Sequence, residues 1–368
     1  MNIKKLRIGN LTAEIPIIQG GMGVGISLSS LASSVANEGG IGVIAAAGIG
    51  MTLKDKGRMN IKEANIVALR NEIRSARQKS NGILGVNIMT ALSDFIDMAK
   101  TAIEEGIDII FSGAGLPLAL PELLGGSKKT KLVPIVSSGR AASLISRRWI
   151  EKYNYTPDAF VVEGPEAGGH LGFAREQLDK KEFSLENILK DVIDVLKGFE
   201  TRQSKKIPVI AAGGIYSGGD MKRFLDMGAA GVQMGTRFVT THECDAGIEF
   251  KNAYIDCKKE DIVIIDSPVG LPGRAIKNVF ISDIMKGLRQ PVKCPFHCIK
   301  TCALEKSPYC IALALTNAKD GRMSKGFAFA GSNAYRSNTI ISVKELIGTI
   351  MEEYRTAFKM KTVETMPV

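Results

Sequence analysis

The chain has 368 residues, of which 45% are hydrophobic and 23% are charged. These values are typical of globular proteins and exclude a disordered or fibrous chain. A chain of this length suits one large α/β barrel or two ordinary domains. The formal net charge is +10, but the basic residues are scattered and only 6% of residues are aromatic, so we expect no nucleic acid partner.

The N-terminal segment lacks the apolar core of a secretory signal, and no apolar run is long enough to cross a bilayer. Six cysteines in a chain without a signal peptide indicate reduced thiols. The sequence therefore predicts a cytoplasmic protein with no membrane partner.

Short apolar runs alternate with longer amphipathic stretches as far as about residue 240. Each run is nearly continuous in hydrophobicity and is followed by Gly or Ser, which is typical of a strand buried on both faces of a parallel sheet. The runs cover residues 15–18, 42–45, 84–87, 107–110, 132–136, 159–162, 208–211 and 231–234. Because helical patterns lie between these eight runs, the alternation predicts a TIM (β/α)8 barrel over residues 1–240.

The alternation stops after residue 240. Residues 241–340 contain cysteines, prolines and Gly-rich turns with weaker periodicity, and we interpret them as an inserted, Cys-containing cap or lid beside the barrel mouth. Residues 341–368 are predicted to form a C-terminal helix that packs on the barrel. Its start is marked by Ser342 and Glu345, which have the spacing of a capping box.

Glycines cluster where the predicted barrel strands end, which is where the active site of such a barrel lies. Gly213 and Gly214 follow the seventh strand, and Gly235 and Thr236 follow the eighth. Backbone amides in such turns can point at an anion with no Cβ in the way. We therefore predict a phosphate-binding site at these two strand ends, with ordinary tight βα turns as the alternative.

His170 ends the Gly-rich segment Glu163–His170, which follows the sixth predicted strand. A histidine on such a loop has no core to fill, so we interpret it as a general base or as a hydrogen-bond donor to an anionic substrate. His242 has polar sequence neighbours and is interpreted as a solvated loop residue.

Five motifs follow one another along the chain: Gln19–Met22, Gly85–Asn87, Glu166–His170, Ala211–Ile215 and Gln233–Phe238. In this order they resemble the motifs of the nitronate monooxygenases, formerly called 2-nitropropane dioxygenases. They also resemble those of close relatives, the flavin-dependent enoyl-acyl-carrier-protein reductases. The resemblance covers about residues 5–240 and resumes weakly at residues 326–332 and in the last helix.

The resemblance implies a barrel that binds FMN non-covalently at its mouth, with His170 as the catalytic residue. Main-chain amides and the Thr236 hydroxyl would hold the FMN phosphate, Asn87 would face the flavin ring, and Gly168 would lie against the cofactor. The cofactor-binding residues implied in this way are Gly21, Met22, Asn87, Glu163, Gly168, Gly213, Gly214, Gln233, Met234, Gly235 and Thr236.

The resemblance leaves two reactions open. The first is FMN-dependent oxidation of alkyl nitronates by O2 to a carbonyl compound and nitrite. The alternative is NAD(P)H- and FMN-dependent reduction of an enoyl-acyl-carrier protein in fatty-acid synthesis. Glu163 and the run Arg274–Asn278 resemble this reductase branch, and a net positive charge suits an acidic carrier protein. A non-catalytic flavin- or metal-binding regulator is a third class, and a homodimer stays open for all three.

Cys294, Cys298, Cys302 and Cys310 are spaced neither as a zinc C-x2-C site nor as a ferredoxin motif. If residues 298–302 were helical, successive thiols would share one face and could converge on one metal. Buried free thiols are the alternative, and the sequence assigns no residue to a metal.

Overall fold

The computed structural model describes residues 3–55, 57, 59–288, 294, 296–302 and 307–364. Residues 365–368 of the predicted C-terminal segment lie outside these described residues. The chain begins with strands β1 (Leu6–Ile8) and β2 (Leu11–Ala13), which pair antiparallel as a hairpin.

Eight parallel strands close into a barrel, which confirms the fold predicted from the alternation of apolar runs. In chain order they are β3 (Ile17–Gln19), β4 (Ile41–Ala45), β5 (Ile83–Met89), β6 (Ile109–Gly113), β7 (Lys131–Val136), β8 (Phe160–Glu163) and, after the short strand β9 (Gly169–His170) outside the barrel, β10 (Val209–Ala212) and β11 (Gly231–Met234). Each barrel strand overlaps one predicted run. The barrel closes where β11 pairs with β3.

Helices connect the barrel strands and cover their outer faces, as expected of crossovers in a parallel sheet. They are α1 (Ser29–Asn37), α2 (Ile61–Lys79), α3 (Phe95–Glu104), α4 (Gly139–Tyr153), α5 (Leu185–Gln203), α6 (Gly218–Asp226) and α7 (Thr236–Val239). In the described part of the chain, short 3-10 helices lie at Ile49–Thr52, Leu120–Leu124, Arg175–Gln177, Lys181–Phe183, Lys259–Asp261, Met323–Lys325 and Ala334–Arg336.

The hairpin β1–β2 closes the amino-terminal end of the barrel. Leu6 and Ile8 are 1% exposed and pack with residues of the barrel interior such as Ile41, the first residue of β4. A Cβ on Gly231, the first residue of β11, would lie 3.0 Å from the Leu6 side chain. A ligand can therefore enter the barrel only at the opposite end, where the strands finish.

The chain after residue 240 forms a smaller sheet and further helices. These elements are α8 (Ile248–Ile255), β12 (Ile262–Asp266), β13 (Pro272–Ile276), α9 (Val279–Met285), α10 (Ile311–Lys319) and α11 (Val343–Glu364). Strand β13 pairs with both β12 and β9, so this sheet is attached to the segment that follows β8. No helix in the described part of the chain is long and apolar enough to span a bilayer.

The capping box predicted for the last helix is present. The amide of Ser342 donates to a carboxylate oxygen of Glu345 at 2.8 Å, and the amide of Glu345 donates to the Ser342 hydroxyl at 3.1 Å. The helix packs on α6, where Glu353 accepts from the Gly218 amide at 2.7 Å. At the start of α5, by contrast, Ser184 occupies the N-cap position but its side chain accepts no capping hydrogen bond.

Candidate active site

A cavity of about 720 Å³ opens at the carboxyl ends of the barrel strands. Its size lies within the range of about 300–1,000 Å³ that is usual for ligand and cofactor sites. The structure brings all of the predicted site residues into its wall: His170, Gly21, Met22, Asn87, Glu163, Gly168, Gly213, Gly214, Gln233, Met234, Gly235 and Thr236. We call this space the main cavity.

One corner of the main cavity is lined by peptide amides at the ends of β10 and β11. Gly213 and Gly214 have φ values of +94° and +77°, a left-handed conformation that favours glycine. A Cβ on Gly213 would lie 2.9 Å from the carbonyl oxygen of Gly164. In the described part of the chain, the amides of Gly213, Gly214 and Gly235 donate to no protein acceptor. Such amides suit an anionic group.

The Thr236 hydroxyl completes this corner. Its oxygen accepts a hydrogen bond from the Gly331 amide at 2.9 Å, which leaves the hydroxyl proton for a ligand. The Asn333 side chain donates to the Gly214 carbonyl at 2.7 Å, so the segment around residues 330–333 packs over the corner. The weak resemblance at residues 326–332 ends just before Asn333, which carries no local sequence signal of its own.

Gly21, Asn87 and Glu163 form another part of the wall. Gly21 lies so close to Asn87 that a Cβ on Gly21 would be 2.4 Å from the Asn87 Cβ. The Glu163 carboxyl has no hydrogen bond or ion pair with the described residues, and burial raises its pKa to about 7. An unpaired carboxyl with this pKa is partly protonated at neutral pH and can donate a hydrogen bond into the cavity.

The Gly-rich sequence around His170 suggested a loop. In the structure His170 is instead held in a short strand. It lies in β9, opposite Gly273 of β13. Its Nε2 lies 2.7 Å from the Ser267 hydroxyl, and its ring packs edge-to-face on Phe329 with centroids 4.9 Å apart. Burial lowers the pKa of His170 to about 4, so the imidazole is neutral at neutral pH.

Arg274 holds the segment between β8 and His170. The guanidinium is buried and donates to the carbonyl of Ala167 at 2.7 Å and to the carbonyl of Pro165. Asn278, in the same sequence run, accepts from the Ile281 amide at 3.0 Å and so caps α9. The run that resembles the reductase branch therefore has a structural role in this chain, which its sequence alone did not indicate.

The side of the main cavity formed after residue 240 is largely apolar. These residues could not be identified from the sequence, because they lie in a region without clear periodicity. They are Phe250, Tyr254, Leu271, Ile299, Ile311, Leu315 and Phe329. The Tyr254 hydroxyl donates to the Phe329 carbonyl, which ties α8 to the segment that contacts His170. A ligand with a hydrocarbon part can be accommodated here.

The four closely spaced cysteines do not lie on one helix. Residues 298–302 form a bridge and a turn, so the helical arrangement considered from the sequence is wrong. All six cysteines are free. Burial, followed by the thiols of Cys310, Cys294 and Cys302, raises the pKa of Cys298 to about 12, so the four thiols lie near one another.

Comparisons with known proteins agree with this geometry. The sequence profile described as nitronate monooxygenase matches residues 4–353. A probable nitronate monooxygenase of Staphylococcus aureus is 28% identical over 310 residues, which cover 74% of this chain and 78% of the relative. An octahydro-indene-carboxyl-CoA dehydrogenase of Mycobacterium tuberculosis is 30% identical over 277 residues, which cover 75% of this chain and 67% of the relative.

Solved structures of similar proteins share the fold of this chain. FabK from Thermotoga maritima superposes with a TM-score of 0.73 and 28% identity, covering 95% of this chain and 96% of FabK. A nitroalkane oxidase from Streptomyces ansochromogenes superposes with a TM-score of 0.70 over 95% of this chain and 98% of its own. Its identity of 21% supports the shared fold alone.

Proposed function

Since this chain belongs to the nitronate monooxygenase family and is an oxidoreductase, we propose that it uses FMN to oxidise alkyl nitronates with O2 to a carbonyl compound and nitrite. The observation that carries the proposal is a fixed imidazole, neutral at neutral pH, in the wall of a cavity that also has a corner suited to a phosphate. These are the two parts that such a reaction needs: one group that meets an anionic substrate, and one site that holds a phosphate-bearing cofactor.

Two features of the wall of the main cavity support FMN as the cofactor. The amides of Gly213, Gly214 and Gly235, together with the Thr236 hydroxyl proton, are free to bind the phosphate. The unpaired carboxyl of Glu163 gives the flavin a polar partner in the wall. When bound, FMN supplies the electron acceptor for the nitronate and the group that O2 reoxidises.

His170 acts on the substrate through its second ring nitrogen, Nδ1. The Ser267 oxygen accepts from the Val269 amide at 3.4 Å, and its own proton can be donated to Nε2 of His170. With the Ser267 proton donated to Nε2, the ring proton lies on Nδ1, which has no partner among the described residues. A neutral N–H donor at this point stabilises the negatively charged oxygens of a nitronate without first having to take up a proton.

The carboxyl of Glu163 also fits this role once its protonation is considered. A charged carboxylate beside the flavin would oppose the build-up of negative charge on the reduced ring. The raised pKa of about 7 keeps a large share of Glu163 neutral at physiological pH, where it donates a hydrogen bond instead. The negative charge of Glu163 therefore opposes reduction of the flavin only as the pH rises above about 7.

A second candidate is reduction of an enoyl thioester by NAD(P)H. It is favoured by the apolar wall built from Phe250, Leu271, Ile311, Leu315 and Phe329, which suits an acyl chain better than a small nitronate. The similarity to FabK and to a CoA-ester dehydrogenase also supports a thioester substrate. Glu163 and the neutral His170 are compatible with either reaction.

The two reactions are separated by one pair of assays on the purified protein carrying flavin. We expect O2 consumption and nitrite release with an alkyl nitronate, at a rate that does not need a pyridine nucleotide. NADH or NADPH oxidation that depends on an added crotonyl thioester, without nitrite release from the nitronate, would contradict the first proposal and support the second.

A further inference from the structure

Four of the six cysteines surround a second cavity, smaller than the main one. Its volume is about 40 Å³, and we call it the thiol cavity. The thiols that line it are those of Cys294, Cys298, Cys302 and Cys310. Neither the proposed reaction nor the FMN site uses these side chains, so their common location needs a separate explanation.

The segment that carries these thiols is anchored to the barrel by backbone hydrogen bonds. The Ser93 amide donates to the Cys298 carbonyl at 3.1 Å, and the Lys300 amide donates to the Ala91 carbonyl at 3.0 Å. Cys310 occupies the N-cap position of α10. The thiols are therefore presented by elements that are fixed to the connection after β5 and to a regular helix.

The described thiols are not gathered as the ligands of a single metal ion, and the cavity between them has room for a group larger than one water. A zinc ion holds each of four thiolates at about 2.3 Å, which brings the sulfurs together at a point. In the described ranges, no group of three or more His, Cys, Asp or Glu side chains is arranged around a point where one metal ion could bind. The thiol cavity of about 40 Å³ is instead larger than the roughly 10–15 Å³ that one water requires.

The side chains that line the thiol cavity indicate which kind of group it could bind. The ionisable groups that line the thiol cavity are thiols, one histidine (His297) and the phenol of Tyr309, with no carboxylate among the described residues. Thiolates are soft ligands that select zinc or iron–sulfur clusters. In a 4Fe–4S cluster each of four cysteines binds a different iron atom, so the cysteine sulfurs stay apart around a polyatomic core.

We propose that Cys294, Cys298, Cys302 and Cys310 bind a 4Fe–4S cluster in the thiol cavity. Each thiol loses its proton on binding iron, and insertion of a preformed cluster needs no net electron transfer. Cys298 lines both cavities, and so do its neighbour Ile299 and Ile311. The cluster would therefore share a wall with the FMN site, and its presence does not depend on which reaction the enzyme performs.

The test is the metal content of the full chain, measured after purification without oxygen and again after reconstitution with sulfide and equal amounts of ferrous and ferric iron. We expect about four iron and four acid-labile sulfide per chain, and an absorption band that dithionite bleaches. Zinc in place of iron, or no bound metal under either condition, would overturn the proposal. Because this measurement uses the native sequence, it stands even if variants fold poorly.

Single replacements then identify the ligands. Cys302→Ser and Cys310→Ser are expected to lose most of the iron and sulfide while retaining FMN, because neither residue contacts the cofactor corner. Cys257→Ser is the matched control, since Cys257 is buried outside both cavities, and it should keep the full iron content. Iron that is equally abundant in all three variants and the native protein would show that the thiol cavity is not the binding site.

Discussion

Replacing His170 with alanine is expected to leave FMN bound and to lower kcat/KM for a nitronate by about 10²–10⁴-fold, the usual contribution of a positioned proton donor or base. The imidazole lies in the cavity wall, held by Ser267, while the amides that suit the phosphate lie on other strand ends. Removing the ring therefore deletes the group that meets the substrate and leaves the cofactor corner intact.

The matched control is His242→Ala. His242 is exposed, and its backbone amide donates to the Ile341 carbonyl at 2.9 Å, so losing its side chain should change neither flavin content nor rate. Steady-state kinetics and the visible spectrum of both variants provide the comparison. An H170A enzyme with native kcat/KM would remove the proposed role of this residue.

The dependence of the native enzyme's activity and stability on acidic pH tests the protonation state of His170 independently. Burial lowers its pKa from the ordinary 6.5 to about 4, so the ring stays neutral, and activity persists, until the pH approaches 4. The unfolded chain takes up this proton more readily than the folded protein does. Stability therefore decreases as the pH falls from about 6.5 through 4, and this part of the decrease should be absent from H170A.

Replacing Gly213 with alanine is expected to weaken FMN binding at least about tenfold, equivalent to about 1.4 kcal/mol. Alanine at a φ of +94° is strained, and its Cβ would lie 2.9 Å from the Gly164 carbonyl oxygen. The Cβ would meet a backbone atom, which cannot rotate away as a side chain could, so the strand ends must move apart. A residue forced into such a conformation costs about 1–3 kcal/mol. The amides that suit the phosphate move with them.

Gly125→Ala separates backbone strain from damage to the site. Gly125 also has a positive φ, +55°, but a Cβ there meets nothing within 4 Å, and the residue lies outside the wall of the main cavity. We expect this control to keep native FMN affinity despite some loss of stability. FMN titration followed by fluorescence quenching measures both variants, and equal affinity in G213A and the native protein would contradict the assigned phosphate corner.

The barrel could be predicted from the sequence because its signal is local. A parallel strand covered on both faces reads as a short apolar run, and each of the eight runs overlaps an observed strand. The two glycines at the end of β10, Gly213 and Gly214, were also visible, since their positive φ values restrict the residue type. The capping box of Ser342 and Glu345 is local in the same way.

The partners of the site residues could not be predicted, because they come from distant parts of the chain. Ser267 lies 97 positions from His170, and Gly331 lies 95 positions from Thr236. Arg274 and Phe329 act through contacts with the segment that ends at His170, and nothing in their local sequence indicates it. Four thiols likewise line one cavity because residues 298–302 form a bridge and a turn, and not the helix considered from the sequence.

FMN binding at the carboxyl end of the barrel is tested most directly by releasing the cofactor from freshly purified protein. Mass spectrometry and fluorescence of the extract, compared with the protein concentration, identify the flavin and its stoichiometry independently of any iron. We predict FMN in close to equimolar amount. A protein that releases no flavin and takes up none when FMN is added would contradict the proposed site and the oxidation chemistry assigned to it.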